Sequence, residues 1–172
     1  MKINKPKITT YQNKSLLEAY KEDEYYNYKF NGNINSEIEI NDVTFDSCIF
    51  EKIDFKNIKL KNIDLVDVIF DNCDLSNQAF EYKLISRTIF KNCKMTGISF
   101  MGSSLKDIVF DNCVITYSNF SNTKINNLSF ENTDLSESSF IEVDCKNILF
   151  EKTTLYRTEF IKTKLKDVDF SD

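Results

Sequence analysis

Cys73, Cys93 and Cys113 recur at a spacing of 20 residues, in the tripeptides Asp71-Asn72-Cys73, Lys91-Asn92-Cys93 and Asp111-Asn112-Cys113. Stacked thiols at such a spacing could hold a soft metal or run redox chemistry, because the thiolate is both ligand and nucleophile. The chain has no His and no fourth close ligand to complete such a set. With Cys48 and Cys145 the cysteines number five, an odd count. They are expected to be reduced and to act as small core hydrophobes in a cytoplasmic protein. The absence of His also removes Ser-His and Cys-His nucleophiles, and 3 Gly leave no phosphate-cradling loop. No metal or cofactor is expected.

Carboxylates form a second periodic set. Glu51, Asp71, Asp111, Glu131 and Glu151 fall in one 20-residue series with Lys91, and Asp54, Asp74 and Asp134 fall in another. Paired carboxylates such as Asp54 and Asp74 can do acid–base work where a cleft excludes water. The elements that carry them predict a convex rod without a cleft, so the protein is expected not to be an enzyme. These eight residues are instead a candidate acidic interaction face. A net charge of −5 argues against direct binding to nucleic acid.

What positions these residues is a five-residue ruler. An apolar residue stands at every fifth position from Ile40 through Phe45, Phe50 and Phe55 to Phe170, without an insertion. A period of five fits neither a helix face nor strand alternation, and signals a structural repeat. Two residues before each centre lie small or β-branched side chains such as Val43, Cys48, Ile53 and Ile58. Each pentamer thus points two side chains inward and three outward, and cannot bury its apolar pair alone. Stacked coils close the core. From Phe70 onward Phe takes every tenth position, and Asn72, Asn92, Asn112 and Asn132 recur every 20. Four sides per coil satisfy both patterns. The expectation is an all-β, four-sided β-helix of about 6.5 coils and roughly 31 Å.

Residues 1–39 lie off the ruler and are expected to be a capping segment, with 40–172 as the β-helix. Lys2 to Lys14 reads as polar and loosely ordered, and Ser15 to Tyr20 as a short helix with Ser15 at its N-cap. Tyr25, Tyr26, Tyr28 and Phe30 are expected to cover the first coil. No apolar run is long enough to be a signal peptide or a membrane span. Gln78 and Lys83 occupy inward positions, which predicts a backbone bulge there or a Lys83 that reaches outward. Ile49, Ile69, Ile89, Val109 and Leu149, interrupted by Ser129, form an outward apolar stripe, a candidate interaction surface. Either the N-terminal segment folds across it or a partner or second subunit docks there. The chain stops in register at Phe170-Ser171-Asp172. Its last coil is expected to be covered by another subunit, in a homodimer through a coil end, or by further chain.

Residues 40–170, with a small residue, often Asp or Asn, then Leu or Phe, resemble the pentapeptide-repeat proteins. That resemblance implies a right-handed quadrilateral β-helix. A narrower similarity is to the chromosomal quinolone-resistance pentapeptide proteins of Gram-positive bacteria. It rests on Asp71-Asn72-Cys73-Asp74-Leu75-Ser76-Asn77, Phe80, Ile85, Phe90, Asn92-Cys93-Lys94-Met95 and Gly97. Tyr117-Ser118-Asn119-Phe120-Ser121 and Leu165-Lys166-Asp167-Val168-Asp169 carry it further. It implies DNA gyrase or topoisomerase IV as protein partners, bound by acidic mimicry of duplex DNA. The chain departs from those relatives in lacking a C-terminal cap and projecting loops. A scaffold acting through the apolar stripe is the alternative.

Overall fold

The computed structural model describes residues 2–18 and 22–170. It is the expected all-β, right-handed quadrilateral β-helix. Its strands pair in parallel with partners 20 residues away, as in Phe50↔Phe70, Phe90↔Phe110 and Phe130↔Phe150. Four columns of inward centres line the core. Phe30 to Phe170 stand on the first face, Phe55 to Leu155 on the second, Phe80 to Phe160 on the third, and Tyr25 to Leu165 on the fourth. The strands Leu84–Lys91, Ser104–Asp111, Lys124–Glu131 and Asp144–Glu151 run from the fourth face onto the first.

The core is stacked aromatic rings. Phe50 and Phe70 lie 4.7 Å apart and 8° from parallel, and Phe120 and Phe140 lie 4.6 Å apart and 3° from parallel. Rings of the first and third faces meet edge-on, as Phe110 does Phe120 at 6.4 Å and 89°. Each such pair adds about 0.5–1.5 kcal/mol beyond burial of its area.

The residue two before each centre does more than fit the interior. Cys73 Sγ donates to Phe50 O at 3.4 Å, Cys93 Sγ to Phe70 O at 3.5 Å and Cys113 Sγ to Phe90 O at 3.3 Å. Thr133 and Thr153 repeat the bond to Phe110 O and Phe130 O. Ser, Thr and Cys therefore tie each coil to the one before it.

Two residues after each centre the backbone enters the left-handed region. Among the described residues 24 non-glycine positions have positive φ, ten of them Asn and four Asp. From Asp42 to Asp167 they fall on every fifth residue, with Gly97 and Gly102 in the same series and Asn57 as the break. Asn and Asp are the side chains that visit this region most readily. This is a second reason for the Asn repeats, beside the side-chain ladder that joins Asn112 Nδ2 to Asn92 Oδ1 at 2.7 Å.

The break at Asn57 explains Gln78. Along the third face, Phe80 N donates to Ser99 O and Phe100 N to Asn119 O. At Leu60 the acceptor is instead Gln78 Oε1, at 3.2 Å, while Gln78 Nε2 donates to Phe55 O at 3.1 Å and Ile58 O at 2.7 Å. The Gln78 amide thus stands in for ladder backbone one coil below the irregular corner. No bulge forms at Gln78 or Lys83, since Asn77 and Tyr82 keep the regular corner conformation. Lys83 reaches outward, its Nζ donating to Asn62 Oδ1.

The coil geometry also runs upstream of residue 40. Tyr25 stacks on Phe45 and Phe30 on Phe50, both buried, which brings the solenoid to about eight turns. Ser15 ends the strand Gln12–Ser15 rather than capping a helix, and Leu16–Glu18 is a single 3-10 turn. Leu16 is buried in the core, and Tyr25 Oη donates to Glu18 O at 2.7 Å. Ala19 and Tyr20, the rest of the expected helix, lie outside the described residues. At the other end Phe170 is 56% exposed.

Two changes test these assignments. Gln78→Leu keeps the volume but leaves Leu60 N, Phe55 O and Ile58 O without those partners, and should cost about 2–4 kcal/mol. A urea midpoint equal to that of the parent would refute the bridging role. Lys152 holds a left-handed corner at φ 47°, directly after the Asn series. Lys152→Asn should raise stability by about 0.5–1 kcal/mol, and a thermal midpoint that falls would count against corner strain.

Candidate interaction faces

The rungs bring the carboxylates into two vertical columns. Glu51, Asp71, Lys91, Asp111, Glu131 and Glu151 are consecutive register partners beside the first face. Asp54, Asp74, Lys94, Val114, Asp134 and Thr154 are partners on the second face. Neighbours in a column sit roughly 4.8 Å apart, the spacing of stacked strands.

Part of this charge is already answered. Lys29 bridges Glu51 at 3.0 Å, Lys56 bridges Asp54 at 3.1 Å and Lys94 bridges Asp74 at 3.3 Å. Asp71 accepts from Asn72 Nδ2, and Asp134 from Ser136 N and Oγ. Glu131 accepts from Ser129 Oγ at 2.7 Å. Among the described residues Asp71, Asp111, Glu131, Glu151 and Asp134 have no lysine or arginine bridge. The densest uncompensated run is therefore Asp111, Glu131 and Glu151. The fourth face carries the opposite sign, with Lys106, Lys146 and Lys166 in one column.

The five thiols are buried and unpaired by disulfides. Burial pushes Cys145 up to about 12 and Cys48 up to about 11, so neither is a thiolate at neutral pH. The described residues contain no group of three or more metal-ligating side chains, and no helix long and apolar enough to cross a membrane.

The apolar stripe Ile49, Ile69, Ile89, Val109, Ser129 and Leu149 is in register on the first face, but it is not bare. Its five aliphatic members are half-buried and Ser129 is 1% exposed. The covering chain is the N-terminal segment, which the composition alone suggested would be loose. Asn4 N donates to Asp107 Oδ1 at 3.2 Å and Asn4 Nδ2 to Asp107 Oδ2 at 3.0 Å. Lys7 N donates to Asp67 Oδ1 at 3.0 Å. Asp67 and Asp107 are two rungs apart, roughly 10 Å, which is the reach of three extended residues. Residues 2–8 thus run along the solenoid axis, across the strands, as a strap. Ile3, Pro6 and Ile8 are half-buried while Lys2, Lys5 and Lys7 are exposed. Lys2, Ile3 and Lys5 share one shallow groove with Val109, Glu131 and Leu149.

The strap's anchors are corner residues that nothing in the repeat sets apart. Asp67 and Asp107 are 6% and 2% exposed, whereas Asn62, Asn72, Asn112 and Asn132, at other corners, are exposed. Arg87, between them on the same corner, grips Asp67 with Nε and Nη2, each at 2.7 Å. The signals were Ile3-x-x-Pro6-x-Ile8 in a polar stretch and the Asp-Arg-Asp alternation at 67, 87 and 107. Burial works to raise the Asp67 carboxyl, but the Arg87 hydrogen bonds and the Lys7 amide outweigh it and hold it below the ordinary 3.8. Asp107 is likewise lowered, with the Asn4 and Asn127 bonds overcoming burial. A depressed carboxyl stabilises above its ordinary pKa and loses that contribution as pH falls through its folded value. Strap docking should be intact at pH 6 and weaken below about pH 4. Amide-exchange protection of Asn4 and Lys7 that persists unchanged at pH 2 would show that the carboxylates do not hold it.

Known proteins share this architecture. The family described as "Pentapeptide repeat region" matches residues 63–140, and "Pentapeptide repeats (8 copies)" matches 40–77 and 133–172. A search of the curated proteins finds no match. Among solved structures, trypsin-treated QnrB1, a plasmid-mediated fluoroquinolone resistance protein, aligns with a TM-score of 0.51 at 16% identity. That alignment covers 96% of this chain and 92% of QnrB1. HetL, from the cyanobacterium Nostoc and involved in heterocyst differentiation regulation, gives 0.43 at 13% identity over 93% and 87%. A thylakoid-lumen protein of Arabidopsis thaliana gives 0.42 at 20% identity over 58% and 66%. With both family profiles on the repeat, and with its columns and corners in every coil, the chain belongs to the pentapeptide-repeat family.

Proposed function

We propose that the protein is a non-enzymatic binding rod of the cytoplasm that presents its acidic first face to a basic protein surface. The partner class it fits is a type II topoisomerase, DNA gyrase or topoisomerase IV, with the rod taking the place of duplex DNA. The observation that carries this reading is the stacked, unbridged run Asp111, Glu131 and Glu151 on a solid rod. The fluoroquinolone-resistance protein QnrB1 supports it as a relative of the same fold.

Charge density sets the expected strength. Duplex DNA carries one charge per about 1.7 Å of axis. One carboxylate column on this rod carries one per roughly 4.8 Å, and Lys91 interrupts it. Binding should therefore be micromolar rather than nanomolar, and strongly weakened by salt. Supercoiling by gyrase, titrated with the protein with and without a quinolone, checks this. Asp111→Asn, Glu131→Gln and Glu151→Gln together should raise the half-inhibiting concentration roughly tenfold, as three exposed charges at ~0.5 kcal/mol each imply. Equal inhibition by parent and triple variant would exclude mimicry by this column. The absence of any effect on supercoiling would leave a scaffold for another partner.

A further inference from the structure

We propose that the channel between the Asp67–Asp107 corner and the apolar stripe is a receptor for an extended basic segment of a partner protein, and that residues 2–8 fill it in cis. This rests on the reading of the first face as the binding face. The strap shows what such a segment needs. Two backbone N–H groups three residues apart meet the carboxylates of Asp107 and Asp67. Side chains at the positions of Ile3, Pro6 and Ile8 are half-buried along the stripe, and lysines lie between them. Lys2 and Lys5 line the same groove as Glu131, the middle member of the unbridged acidic run. The strap therefore sets two lysines beside the charge that a basic partner would use, and lies against the Val109–Leu149 part of the aliphatic surface.

The occupant must be extended because the two anchors are two rungs apart, a span three helical residues do not reach. It must be basic because Glu131 lines the channel and Asp111 and Glu151 are its register neighbours. Its competitor is tethered, so the strap acts at a high effective concentration and sets a threshold that a partner's segment has to exceed. An exposed linker or tail with lysines alternating with aliphatic residues fits, whereas a folded convex surface would leave the channel to the strap.

The test uses the full chain and a synthetic peptide with the sequence of residues 2–8. In the variant Ile3→Asp with Asn4→Ala the solenoid is untouched, while the strap loses one apolar contact, gains a charge repelled by Asp107 and Glu131, and loses the Asn4 Nδ2 bond to Asp107. That variant should bind the peptide at least tenfold more tightly than the parent protein. A peptide with its three lysines replaced by glutamate should not bind either. In the parent, excess peptide should speed amide exchange at Lys7. Equal peptide affinity in variant and parent, or free exchange at Asn4 and Lys7 in the parent, would overturn the proposal. So would exchange of straps between two copies, seen as a dimer whose population grows with concentration. None of these readouts involves a topoisomerase, so a failed supercoiling assay leaves this result standing, and the reverse.

Discussion

The fold depends on one backbone constraint, a left-handed residue two places after every inward centre from Ile40 to Leu165 except Phe55. That single residue turns the chain through a corner and returns it to an extended course. For an L-amino acid the left-handed region costs about 1–2 kcal/mol, less for Asn and Asp. The corner is affordable because it does not interrupt hydrogen bonding. Asn72 N donates to Lys91 O, Asn92 N to Asp111 O and Asn112 N to Glu131 O, each at 2.9 Å. The corner residue is strained and yet paired, which is why the coil closes without exposing buried backbone.

A second consequence is that the interior is full. Stacked rings from two opposite faces meet edge-on at the axis, and Ser, Thr and Cys two places before each centre donate to the coil above. No room remains for a substrate inside, so the variable chemistry of the chain sits on four flat outer faces. Those faces differ in kind. The first is acidic and aliphatic, the lower fourth is rich in lysine, and the strap lies near the edge where the two meet.

Legibility followed the strength of the repeat. Phe50, Phe70 and Phe90 announce the core because period five leaves no other use for them. The residues two before them looked merely small, since a sequence shows size but not the carbonyl that a hydroxyl or thiol will meet. Gln78 looked like a fault and proved to be a repair, because the fault itself, Asn57 outside the left-handed region, leaves no mark in residue type. The strap was harder still. Its apolar positions are three, Ile3, Pro6 and Ile8, and its anchors Asp67 and Asp107 resemble any other corner residue until something covers them.

The uniform register has a kinetic side. Apart from Gln12–Ser15, which pairs with Tyr28–Asn31 at a separation of 16, the strand pairings join residues 20 apart, as Phe90 does Phe110 and Glu131 does Glu151. Closing each new coil thus encloses a loop of the same length and the same entropic cost, wherever along the chain it happens. Growth can start at any well-packed pair of coils and extend toward both ends, like a one-dimensional crystal. The strap stands outside that scheme. Lys7 and Asp67, or Asn4 and Asp107, can meet only after the coils between them have formed, so it docks last. Its docking reports that the rod beneath it is complete.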